Sequence, residues 1–219
     1  MFITFEGVDG SGKSTAVKRF AEILRTRYGS DRVVVTRDPG GTDVAADIRN
    51  VILSNDIDPV TELLLYTAAR REIYVNIINP ALMQNKIVIS DRYIDSTKVY
   101  QWYARQGEAA HASMGDIKDL HIMACSGIMP DLTFVLNATT QTVKDRINAR
   151  PDESNRFDLM GEEFFDRIIE GFYKTSCVEK ERCKGIDANA CIDDVQQEVM
   201  EKFDEFLISK ASKHYITNR

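Results

Sequence analysis

Short apolar, β-prone runs alternate along this chain with stretches whose hydrophobic residues recur every three or four positions. Phe2-Ile3-Thr4-Phe5 predicts a buried strand, and Val17, Phe20, Ala21 and Leu24 mark a helix over 16–24. A second strand is predicted at 32–36, and Pro39-Gly40-Gly41 breaks it. Asp43 is placed to cap a helix carrying Val44, Ile48, Val51 and Ile52. Asp58-Pro59 opens a longer helix, with Pro59 at its first position and apolar residues from Leu63 to Leu82; Pro80 is expected to kink it.

The run 86–90 is nearly all apolar, as in a parallel sheet covered on both faces. Helices are predicted at 96–105 and 117–125, a fourth strand at 131–136 and a helix at 140–149. Residues 150–158 are charged and lack an apolar period, so they read as a mobile loop. A helix at 162–182, a short strand at 184–187 and a last helix at 192–207 follow, with the tail 209–219 expected to fray. This alternation predicts an α/β fold: a five-stranded parallel sheet flanked by helices, with 150–158 as a short lid. Residues 1–219 read as one domain.

Composition narrows the function. The net charge is −6, which argues against a nucleic-acid polymer as partner. The four cysteines and three histidines show no zinc spacing, and the cysteines read as reduced, mostly buried thiols in a cytoplasmic protein. The chain enters its first strand at once, which argues against a signal peptide, and no apolar run is long enough for a membrane span.

The chemistry concentrates where three predicted strands end, the place where ligands gather in parallel sheets. Gly7-Val8-Asp9-Gly10-Ser11-Gly12-Lys13-Ser14-Thr15 has the G-x-x-x-x-G-K-[ST] spacing of a P-loop between a strand and a helix, so the expected α/β fold is of the P-loop NTPase type. Its backbone N–H groups and the helix dipole suit phosphate oxygens. Lys13 would reach the β- and γ-phosphates of ATP, and the Ser14 hydroxyl would ligate Mg²⁺. Asp91 ends the third strand, where a carboxylate can meet that metal directly or through water. Arg92 beside it can clamp a phosphate with its planar fork. An arginine on a helix is usually a solvated face, so Arg49 and Arg70 carry little alone.

In order and spacing, several stretches together resemble the thymidylate kinases (dTMP kinases). They are the loop from Phe5 to Thr15, Thr36-Arg37-Asp38-Pro39-Gly40-Gly41-Thr42, Tyr66-Thr67-Ala68-Ala69-Arg70, the stretch from Asp91 to Gln101, and Pro130-Asp131-Leu132-Thr133. The likeness continues through Phe164-Phe165-Asp166-Arg167 and Ile186-Asp187-Ala188. It implies transfer of a phosphoryl group from ATP to dTMP in deoxynucleotide synthesis, with Mg²⁺, by a homodimer.

By that resemblance, Arg70 contacts thymine O4, Tyr66 stacks on the base, and Thr97 and Gln101 bond its edge. Tyr100 crowds the sugar 2′ position. Asp9, otherwise odd in a phosphate loop, binds the 3′-hydroxyl. Arg37, Arg49 and Arg92 hold the acceptor phosphate, with Asp38, Pro39 and Ser96 in the same subsite. Gly7, Gly10, Ser11, Gly12, Lys13, Ser14 and Thr15 cradle the donor; Arg146 lies over adenine, and Asp187, Ala188 and Asn189 meet its edge. One group of the family has an arginine after the loop's acidic residue and another has lid arginines. Gly10 here implies the second, with Arg150 or Arg156 catalytic beside Lys13 and Asp91.

Asp38 stands where glutamate is commoner, and Ala69 and Lys98 also depart from frequent choices. The pyrimidine therefore stays open among thymine, uracil and modified bases. A deoxynucleoside kinase, with Glu6 as base, and a nucleotide-switched binding protein remain the other readings.

Overall fold

The computed structural model describes residues 1–105, 111–149 and 162–217. Five strands, β1 (Phe2–Glu6), β2 (Val33–Arg37), β3 (Ile87–Asp91), β4 (Leu132–Asn137) and β5 (Cys183–Asp187), form one sheet in the order β2-β3-β1-β4-β5. All four pairings are parallel. Every residue of the central strand β1 is buried, as its largely apolar start predicts for a sheet covered on both faces. Ile3 and Phe5 face helix α1 (Lys13–Tyr28), where Phe5 meets Phe20 with ring centroids 5.4 Å apart. Phe20 in turn meets Phe203 of the last helix. Alternation sends Phe2, Thr4 and Glu6 to the other face, where Phe2 packs edge-on against Tyr93. The C-terminal ends of β1, β2 and β3 thus bring the glycine loop, Arg37-Asp38-Pro39 and Asp91-Arg92 to one edge.

Several local details differ from the sequence expectation. Helix α2 (Asp43–Ser54) is capped by Thr42, whose hydroxyl accepts the Ala45 N–H; Asp43 is its first residue and supplies the first-turn negative charge instead. Helix α3 (Pro59–Ile73) does begin with Asp58 as cap and Pro59 at its start. It is not simply kinked by Pro80. It passes through a widened π-helical turn, Tyr74–Ile78, into α4 (Asn79–Met83). Proline's ring clashes with the carbonyl four residues back in a regular helix, and the wider turn relieves that clash.

A second widened turn, Lys98–Trp102, continues α5 (Ile94–Thr97) before a tight turn Tyr103–Arg105. Helix α6 (Met114–Cys125) starts earlier than apolar spacing suggests, because Ser113 and Asp116 form a capping box. Helix α7 (Thr140–Asn148) is as expected. Helix α8 (Glu162–Val178) stops short of residue 182, releasing Glu179 and Arg182 to pair with Lys98 and Asp95. Helix α9 (Ile192–Thr217) runs on through most of the stretch expected to fray. Of the four free cysteines, Cys125 and Cys183 are buried while Cys177 and Cys191 are exposed, so the expectation of mostly buried thiols holds for two. Among the described residues no helix is long and apolar enough to cross a membrane. The lid expected at 150–158, with Arg150 and Arg156, lies outside the described residues.

Candidate active site

The loop between β1 and α1 turns on glycines in backbone conformations that other residues avoid. Gly7 has φ 142°, and a Cβ there would lie 2.8 Å from the Leu136 carbonyl oxygen. Gly12 caps α1 at φ 92°. The Lys13 ammonium is buried, donates to the Val8 carbonyl at 2.8 Å and lies 3.7 Å from the Asp9 carboxylate. Burial, and secondarily the charge of Arg92, push its pKa down to about 8 against the pull of Asp9, Asp91 and Glu6. Ser11 and Gly10 lie in the same loop, and Thr15 follows Ser14 in the first turn of α1.

Ser14 Oγ donates to Asp91 Oδ2 at 2.9 Å, which joins the first turn of α1 to the end of β3. A hydroxyl beside one carboxylate at a helix N-terminus suits Mg²⁺, which takes few protein oxygens and completes its shell with water and phosphate. Accordingly, no cage of three or more His, Cys, Asp or Glu occurs among the described residues.

Arg92 has φ 70°, a left-handed conformation that costs a non-glycine residue about 1–3 kcal/mol unless its surroundings impose it. Here they do. Its N–H donates to the Phe5 carbonyl at 2.9 Å, and Ser90 Oγ donates to its carbonyl at 2.8 Å. The Glu6 carboxylate then accepts the Tyr93 N–H at 2.7 Å and the Ser96 hydroxyl at 2.6 Å. Burial, reinforced by the charge of Asp95, raises the Glu6 carboxyl to about 7. Held this way, the Arg92 guanidinium donates to Asp9 at 2.6 Å and to Ser96 Oγ at 3.0 Å, and lies 5.3 Å from the centre of the Tyr100 ring.

These groups line a cavity that brings together most of the residues expected on the acceptor side. Asp9, Arg49, Arg92, Ser96 and Tyr100 line it together with Asp38, Pro39, Tyr66, Arg70, Thr97 and Gln101. Arg70 donates through Nε to Asp38 at 2.5 Å and through Nη2 to Thr97 Oγ1 at 2.7 Å. Burial raises the Asp38 carboxyl, and Arg70 offsets part of that rise. Arg37 does not line the cavity; it is exposed, and after burial its charge is the next cause that lowers the Arg49 guanidinium's pKa.

On the opposite side of the loop, Arg146 of α7 donates to the Ser11 and Gly10 carbonyls at 3.3 and 3.4 Å. A larger cavity of about 850 Å³ opens beyond it, lined by Asp187 and Asn189 with Asn137, Thr139 and Phe172. Asn189 Oδ1 accepts the Thr139 N–H and the Thr142 hydroxyl, so this side chain joins β5 to the start of α7. Ala188 is fully buried and its N–H is bonded to Asn137. Its side chain is therefore not available to a ligand.

Two buried carboxylates, Glu6 and Glu62, bond the cavity-lining side chains of Ser96 and Gln101 and are not among the expected site residues. The sequence offers Glu6 only as a base in a nucleoside kinase and gives Glu62 no role. Glu62 is fully buried and accepts Gln101 Nε2 at 2.9 Å and Arg105 Nη2 at 3.1 Å. Its spacing from Tyr66 and Ala69 on one helical stripe was the available signal.

A family model described as thymidylate kinase matches residues 5–199. A thymidylate kinase of Staphylococcus haemolyticus is 40% identical over 207 residues, covering 94% of this chain and 98% of that protein. One of Wolbachia pipientis is 41% identical over 186 residues, covering 85% and 86%. The crystal structure of thymidylate kinase from Ehrlichia chaffeensis superimposes with a TM-score of 0.73 at 37% identity, over 93% of this chain and 98% of that one. The matched span contains the glycine loop, the cavity lined by Arg92 and Gln101, and the β5 end alike, and on that ground the chain belongs to the thymidylate kinase family.

Proposed function

We propose that this enzyme transfers the terminal phosphoryl group of ATP to the phosphate of dTMP, giving ADP and dTDP for deoxynucleotide synthesis. The observation that carries the reading is Asp9, placed between Lys13 of the phosphate loop and Arg92 of the acceptor cavity, so that the two subsites share one seam. The acceptor phosphate has a second pKa near ~6 and is largely a dianion at neutral pH, so no side chain need remove its proton. Catalysis is then positioning and charge neutralisation.

The loop from Gly7 to Thr15 holds the donor phosphates, with Lys13 on the transferring group. Mg²⁺ held by Ser14 and Asp91 supplies charge neutralisation at the phosphate oxygens when bound. Arg92 and Arg49 take the acceptor phosphate, with the charge of Arg37 close to Arg49. Asp9 receives the 3′-hydroxyl, and Tyr100 closes the space beside the sugar. Tyr66 stacks on the base while Arg70, Thr97 and Gln101 read its edge. Arg146 and the turn at Asp187–Asn189 serve the adenosine side. By the same resemblance Arg150 or Arg156, outside the described residues, would supply the charge at the phosphoryl group that Gly10 cannot.

The apolar surface left by α3 and α6, where Leu64, Ile122 and Met123 are exposed, supports a homodimer. The free thiols fit a cytoplasmic setting. A coupled ADP-release assay over all common nucleoside monophosphates tests the reading. The expected outcome is a kcat/KM highest for dTMP; dTMP outrun by any purine nucleotide would overturn it.

A further inference from the structure

Gln101 lines the acceptor cavity, but the direction of its amide is fixed from behind. Its Nε2 lies 2.9 Å from Glu62 Oε1, and Glu62 does not itself line the cavity. A carboxylate only accepts hydrogen bonds, so the atom facing it must be the NH₂. Arg105 supplies the counter-charge, with Nη2 at 3.1 and 3.3 Å from the two Glu62 oxygens. Turning the amide over would set its oxygen against a fully buried carboxylate, losing a charge-assisted bond and opposing two acceptors.

We propose that Glu62 is a positioning residue for base selection: it holds the Gln101 amide with its oxygen toward the base, so that the site requires a hydrogen-bond donor there. The inference rests on the assignment of this cavity to the acceptor base. Arg70, on the same helix as Glu62, lines the same cavity, and in the assignment this inference rests on its guanidinium reads the neighbouring edge position as a donor. A donor from the protein beside an acceptor from the protein is the complement of a 4-oxo pyrimidine with N3–H. A 4-amino pyrimidine presents the reverse pattern, a donor at C4 and a bare N3 acceptor, and leaves both groups unpaired. Glu62 thereby sets the polarity of half of the reading without touching the nucleotide.

The test compares dTMP with 5-methyl-dCMP, which keeps the methyl group and changes only the C4–N3 edge. Glu62→Gln can donate from its own amide, so Gln101 is free to turn, while the new oxygen still accepts from Arg105. The kcat/KM ratio of the two nucleotides should fall by about tenfold or more, through KM for the nucleotides, with KM for ATP unchanged. Glu62→Asp, which still only accepts, should restore part of the ratio. A folded Glu62→Gln enzyme whose ratio stays within about twofold of wild type overturns the inference.

A measurement on wild-type enzyme covers the case in which the variant does not fold. On adding dTMP to ¹³C,¹⁵N-labelled protein, the Gln101 side-chain carbonyl resonance should move while its NH₂ resonances stay; the opposite pattern contradicts the proposal. A wild-type enzyme that prefers dTMP while Glu62→Gln is unchanged sinks this inference alone. A wild-type enzyme that phosphorylates neither nucleotide sinks it together with the function it rests on.

Discussion

The Asp9 carboxylate stands 2.6 Å from Arg92 Nη2, an ion pair that ties the phosphate loop to the strand end of β3. A negative charge in a loop built for phosphates is costly by itself. Here two cations face it, Arg92 in direct contact and Lys13 at 3.7 Å. Asp9→Asn keeps the shape and removes the charge. KM for dTMP should rise by about 10- to 100-fold, the range expected for losing a charge-assisted bond of ~1.5–3 kcal/mol, with KM for ATP nearly unchanged. Steady-state kinetics varying each substrate in turn would check it. A change confined to ATP would place Asp9 on the donor side.

The proposed function puts Arg70 and Gln101 on the acceptor base. Alanine at either position should raise KM for dTMP by about tenfold or more and spare ATP, because neither side chain lines the larger cavity that holds Asp187 and Asn189. Arg70→Ala carries a second cost. It leaves Asp38, buried and bonded at 2.5 Å to Arg70 Nε, without its partner, so thermal stability should fall as well. Gln101→Ala lacks that effect on Asp38, and differential scanning would separate the two variants.

Much of this was legible in advance, and what was not has a common cause. The sheet follows from runs such as Ile87-Val88-Ile89, and the loop from glycine spacing, because both are local signals. Glu6 and Glu62 escaped because a carboxylate in sequence reads as surface, and only tertiary contacts with Tyr93, Ser96, Gln101 and Arg105 make burial tolerable. The widened turns at 74–78 and 98–102 break the regular period that helix prediction relies on, and the second carries Tyr100 and Gln101. Ala188 matched the family's stretch, yet the fold turns its side chain inward.

Glu6 links the fold to pH. Its folded pKa of about 7 lies above the ordinary 4.5, chiefly through burial, so the native state binds the extra proton between those values. The stability this proton contributes is full below the unfolded value and is lost as pH rises through about 7. Glu6→Gln removes the titration. Its melting temperature should therefore fall less than that of wild type between about pH 5 and 7.5. Parallel curves for the two proteins would show that Glu6 does not titrate in that window.

The lid arginines should act late. Loss of an arginine engaged chiefly in the transition state lowers kcat and kcat/KM together, by about 10³ or more if it behaves like an arginine finger. Arg150→Ala or Arg156→Ala should show that pattern with ATP binding nearly intact. Normal kcat in the double variant would remove both from the mechanism, and partial rescue by Gly10→Arg would support it.

The central claim is that a phosphoryl group passes from ATP to a deoxypyrimidine monophosphate across the Lys13–Asp9–Arg92 seam. The most direct test supplies ATP labelled in its terminal phosphate, with dTMP and Mg²⁺, and locates the label. The account predicts that it appears in the terminal phosphate of dTDP, in amounts matching the ADP formed, and that thymidine offered alone takes none. Label released only as inorganic phosphate, or transferred to thymidine in preference to dTMP, would contradict it.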